Sequence, residues 1–258
     1  MAYGDDYVER RGGIGLGGKI AIALAALVGL PIIAAFAYGV YSTVLVSPET
    51  KLARAIDSSP EAKGFYAGLK RSYPQEYAAL NAAVLPVVER GNATDGVMMI
   101  LRKANDFQHS HSAEVASAPD DQLAAILSGQ IKVLGIAVTK PEMCKRSLSG
   151  VPGRLPALSA DESRKMEANQ FSFVAGAAAG RDHPVKRPGI YPSDQQAIIG
   201  SLRGRGVAVE ELKGLDQPGA NEAASIRKCT VALELLKAVA ALPKAQSLRI
   251  FAQFVRAS

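Results

Sequence analysis

At 258 residues, 48% hydrophobic and 6% aromatic with no tryptophan, the chain suffices for one ordinary domain or two small ones, with a core built mainly from Ala, Leu, Val and Ile. That filling favours helix-on-helix packing and an all-α fold. The net charge of +6 lies wholly beyond residue 19, because Arg10, Arg11 and Lys19 are balanced by Asp5, Asp6 and Glu9; no basic run with interleaved aromatics occurs, which argues against nucleic acid as a partner.

Gly12 to Lys19 reads Gly-Gly-Ile-Gly-Leu-Gly-Gly-Lys, superficially a phosphate loop, but it lacks a preceding strand. Met1–Lys19 is therefore read as a flexible cytoplasmic tail. From Ile20 to Pro48 no ionisable group occurs except Tyr38 and Tyr41. At roughly 1.5 Å per residue a helix of this length exceeds the ~30 Å hydrocarbon core of a bilayer, so residues 20–47 are expected to form a single transmembrane helix. Arg10, Arg11 and Lys19 favour a cytoplasmic amino-terminus, and the tyrosines suit a headgroup boundary. Gly29-Leu30-Pro31 predicts a kink. Ala21, Ala25 and Gly29 form a small-residue stripe suited to a partner helix or self-association, although an alanine-rich segment produces such spacing by chance. A cleaved signal peptide is the rival reading, since Ala35-Phe36-Ala37 resembles a peptidase site; the uncharged stretch nonetheless continues past Ala37.

Beyond the span, residues 48–58 are read as a linker and 59–258 as one extracytoplasmic helical domain, periplasmic if the membrane is a bacterial inner membrane. Pro60–Arg71 is the first expected helix, with Ser59 as cap. Pro74 opens the next, to about Arg90, with Tyr77, Leu80, Val84 and Val87 on its apolar face, a kink at Pro86 and a stop at Gly91. A helix starting near Thr94 or Asp95 carries Val97, Ile100, Ala104, Phe107, His111 and Val115 on one stripe. His109 falls off that stripe, so His109 and His111 are poorly placed to share a metal ion. His111 with Glu114 supplies two ligands at helical spacing but no third is evident, and no metal is assigned. A pH response of a packed His111 is the minor alternative.

Asp120 and Asp121 suit the start of the following helix, to about Thr139, and Glu142–Leu148 is a short one carrying Cys144. Ser149–Leu158 is read as an internal loop. Ser159 and Glu162 have capping-box spacing for a helix to about Ala179. The next stretch gathers Arg181, His183, Lys186, Arg187 and Tyr191 between prolines, and Arg203 and Arg205 close the helix that begins near Ser193. These seven residues are the candidate surface for an anionic ligand or a partner, because guanidinium forks match carboxylate and phosphate and a stiffened loop loses little entropy on binding. The alternative is a solvated loop whose charges pair with Asp182 and Asp194. Val207–Leu215 is a short helical turn. Asn221–Leu242 carries Ile226, Cys229, Leu233, Leu236 and Ala240 on one stripe, and Pro243 opens a terminal helix with Leu248, Phe251 and Val255 facing the core.

Two cysteines facing an oxidising compartment most simply form one disulfide, Cys144–Cys229; their spacing fits neither a thiol redox pair nor a zinc site. No cofactor is implied. The motifs of serine hydrolases, zinc proteases and nucleotide-binding folds are missing, so a catalytic role is disfavoured. The first functional expectation is an interaction or accessory subunit of an envelope complex. The others are a binding or sensing module for an anionic lipid headgroup or wall glycan, and a glycan hydrolase needing only one or two acids.

Overall fold

The computed structural model describes residues 46–149, 156–213, 215 and 221–257. The expected tail, the expected span up to residue 45, and the stripe Ala21, Ala25 and Gly29 lie outside them. Among the described residues no helix is long and apolar enough to cross a membrane. The chain divides into a unit over Met1–Ser47 and a unit over Pro48–Ser258, and the helices described belong to the second.

That unit is all-α, as its aliphatic composition predicts. In chain order it contains α1 (Pro48–Asp57), α2 (Pro60–Ser72), α3 (Pro74–Glu89), α4 (Ala93–Ser110), α5 (Ser112–Ala116) and α6 (Asp120–Ala137). After these come α7 (Pro141–Ser149), α8 (Ala160–Asp182), α9 (Pro192–Gly204), a 3-10 turn at Val209–Leu212, α10 (Glu222–Ala240) and α11 (Lys244–Ala257). Prolines at the first turn start α1, α2, α3 and α9, where a missing N–H costs nothing. Ser159 and Glu162 form the expected capping box on α8, and Asn221 caps α10 by accepting from the Ala224 amide. α4 begins earlier than expected, because Asn92 accepts from the Asp95 amide.

Residues 48–58, expected as a linker, form α1 instead. Leu52 and Ile56 are one turn apart and both enter the core. Glu49, Lys51 and Arg54 are interspersed with them and hide that face in a reading by charge.

Helix α8 runs through the middle of the unit, against α2, α5 and α6. Its second half buries Phe173, Val174, Gly176, Ala177, Ala178 and Gly180, residues on every side of the helix, as an interior helix requires. Small residues set how closely its neighbours approach. A Cβ on Gly180 would collide with the backbone carbonyl of Glu114 in α5, and one on Gly64 of α2 with the carbonyl of Glu167 in α8. Above this crossing Phe65, Tyr73 and Phe107 pack edge to face, with ring centroids 5.6 and 5.1 Å apart.

A second group comprises α7, α9, α10 and α11. Cys144 on α7 and Cys229 on α10 are bridged, both fully buried, with Cα atoms 6.0 Å apart. Beside the bridge Met143 and Met166 form a small satellite core with Ile136 and Ala137. Leu248, Phe251 and Val255 dock α11 into the main core, as their spacing predicts.

Two outcomes are expected. Gly180→Ala lowers unfolding stability by about 3 kcal/mol, since backbone must move, whereas Gly200→Ala, with nothing within 4 Å, is neutral or raises it by up to about 1 kcal/mol; urea titration separates them. Replacing both cysteines by serine costs up to roughly 4 to 5 kcal/mol for closure of this 85-residue separation, read the same way.

Candidate functional site

The proline-rich stretch forms an extended loop over residues 183–191 between α8 and α9, held from several sides. The Val185 amide donates to the Ser117 carbonyl at 2.7 Å. Arg187, whose side chain is only 6% exposed, donates to the Ala116 carbonyl at 3.0 Å and to the Asp120 carboxylate. It therefore ties the loop to the end of α5 and the start of α6.

Where the loop enters α9, Asp194 does the holding. It sits at the third helical position, fully buried, and accepts from the Tyr191 amide at 2.9 Å. From α11 it also accepts from Gln246 Nε2 at 2.9 Å and from both Arg249 Nε, at 3.0 Å, and Arg249 Nη2, at 2.7 Å. The two-pronged bond from Arg249 offsets the cost of burying the carboxylate and pushes its pKa down to about 2. The same guanidinium lies 4.5 Å from the centroid of the Tyr191 ring, so one arginine props both the cap and the aromatic.

The remaining basic residues are distributed over different neighbours. Arg181 donates to Asp182 at 2.8 Å and lies over the Tyr73 ring at 4.6 Å. Arg205 donates to Glu234 on α10 at 3.1 Å. His183 is the exposed carboxyl-terminal cap of α8. Lys186 and Arg203 are exposed, without a charged partner among the described residues. Of the seven candidates, then, Arg181, Arg187 and Arg205 have carboxylates of their own within the domain.

Two features escape sequence reasoning. His111, expected on one long stripe, caps the break between α4 and α5 and stacks on Phe107, with ring centroids 3.9 Å apart. Its Nε2 lies 3.6 Å from Glu76 and 3.9 Å from Glu114, while Lys103 bridges to Glu76 at 3.3 Å. Tyr73 donates to Glu114 at 3.1 Å, and burial, reinforced by that carboxylate, pushes its phenol well above the usual range. This network joins α3, α4 and α5; among the described residues no group of three His, Cys, Asp or Glu could hold a metal ion.

The second feature is a cleft of about 940 Å³ between the α1–α2 turn, α4 and the start of α8. Val97, Met98 and Leu101 give it an apolar wall. Its rim charges satisfy one another: Lys63 lies 3.4 Å from Asp57 and 3.7 Å from Glu167, and Arg164 pairs with Asp161. Neither grouping has a sequence signature, since each joins short segments far apart in the chain. No family model, curated protein or solved structure matches the chain.

Asp194→Asn removes the carboxylate from a partly buried Arg249 and is expected to cost about 2 kcal/mol at neutral pH. Because the folded pKa lies below the ordinary 3.8, this stabilisation is complete above about pH 4 and lost as pH falls through about 2. Urea titrations of both proteins are expected to show the gap closing over that window.

Proposed function

We propose that the chain is a single-span protein of a bacterial inner membrane, with its amino-terminus in the cytoplasm and its helical domain in the periplasm. There the domain serves as an interaction or accessory subunit of an envelope complex. The observation that carries this reading is the uncharged stretch over residues 20–47, long enough to span a bilayer, followed directly by a folded unit that begins at Pro48. A buried Cys144–Cys229 bridge suits an oxidising compartment. Helix-on-helix scaffolding with a braced, solvent-facing loop suits recognition of another protein.

Binding of an anionic lipid headgroup or wall glycan ranks second. Arg181, Arg187 and Arg205 are engaged by carboxylates within the domain, which leaves Lys186 and Arg203 to supply the attraction.

Topology is tested with protease added to intact spheroplasts, where the reading expects the helical domain to be digested and the tail to be spared. Purification of the full-length protein in mild detergent is expected to retain a stoichiometric partner. A domain cleaved only after lysis, or a preparation that yields this chain alone, sinks the reading.

A further inference from the structure

Among the described residues the large apolar side chains left exposed are Val185, at 36%, and Tyr191, at 47%, and both stand on the loop over residues 183–191. Pro184, Pro188, Gly189 and Pro192 are exposed beside them. A mobile loop would lose entropy on docking, but this one is already fixed by Ser117, Ala116, Asp120 and Asp194 and stiffened by prolines. Tyr191 is further propped on Arg249. A rigid aromatic with a neighbouring aliphatic is the usual anchor of a protein interface.

Charge states what the other side must carry. Residues 183–192 contain no acid, and neither does α11, the helix that supports the loop through Arg249 and Gln253. Arg187 and Arg249 are matched by Asp120 and Asp194, which leaves Lys186, Lys244 and Arg256 without a charged partner among the described residues. On α11 Arg249, Gln253 and Arg256 follow one another at positions i, i+4 and i+7, so Arg256 continues the stripe that reaches the loop.

We propose that this loop, with the adjoining face of α11, is the docking surface for an acidic protein segment, whose apolar pocket takes Tyr191 and Val185 and whose carboxylates meet Lys186 and Arg256. The proposal rests on the subunit reading and names the contact within it. A bilayer surface fits less well, because one valine and one tyrosine offer far less apolar area than an interfacial helix, and a fixed loop shape confers no advantage on a fluid.

The test places p-benzoyl-phenylalanine at Val185, or at exposed Ala82 on α3 as control, in the full-length protein in its native membranes. Irradiation is followed by purification in mild detergent and mass spectrometry of the adduct. The expected result is a protein adduct at Val185 on a peptide rich in Asp and Glu, little at Ala82, and a yield that falls at least fivefold with Lys186→Glu or Tyr191→Ala. Lys186→Glu leaves helicity and Tm within error, since Lys186 has no charged partner among the described residues; Tyr191→Ala keeps the helicity, since the cap uses the backbone of residue 191, and lowers Tm by a few degrees at most through loss of the ring beside Arg249. A lipid adduct, a peptide without acids, equal adducts at both positions, or a yield indifferent to Lys186→Glu overturns the docking surface. A stoichiometric partner that is retained but not linked from Val185 overturns the surface and leaves the subunit reading standing. If no partner is retained, both fall.

Discussion

The architecture depends on how closely backbones meet around α8. Where Gly180 passes the Glu114 carbonyl and Gly64 passes the Glu167 carbonyl, there is no room for a methyl group, so α2, α5 and α8 are locked at the distance their glycines permit. Such contact maximises dispersion between main chains but leaves nothing to absorb a displaced atom. Its consequence reaches the surface. The loop over residues 183–191 leaves α8 three residues beyond Gly180, and its first tie, from Val185 to Ser117, is made just past α5. The crossing that fixes the core thus also places the loop.

The arginines show how the domain uses its positive charge. Arg187 and Arg249 are internal braces: each reaches from one element to a carboxylate at the start of a helix, Asp120 on α6 and Asp194 on α9. Those carboxylates also stabilise the helix starts they occupy. A planar guanidinium suits this work because its several donors hold a carboxylate and a carbonyl, or both oxygens of one carboxylate, at once. The charge left facing solvent on the loop is the lysine, a compact group on a flexible stem.

What could be read in advance follows from the range of each interaction. Proline at the first helical turn, the Ser159–Glu162 box, the start of α10 at Asn221 and the apolar spacing of α11 act over one or two turns, and they were legible. Two cysteines leave one pairing, so the bridge was legible too. The basic loop was visible as composition, but the carboxylates that engage it lie 67 residues from Arg187 and 29 from Arg205, and Arg249 lies 55 from Asp194. No local pattern distinguishes a braced arginine from a solvated one. α1 was missed for a different reason: two core residues among charges are too few to outweigh the appearance of a linker, and only the tertiary packing of Leu52 and Ile56 declares the helix.

The bridge and the crossing divide the task of holding the domain together. Around α8 the main core is continuous, from Phe65 and Phe107 through Val174 to Phe251, and close packing suffices. Beside α7, among the described residues, Ile136, Ala137, Met143 and Met166 form a separate small cluster, with Val133 and Leu158 partly buried against it. Cys144 follows Met143 directly and fastens α7 to α10, a helix that also packs against α6. A covalent tie therefore joins this satellite cluster to a helix that is packed on the main core.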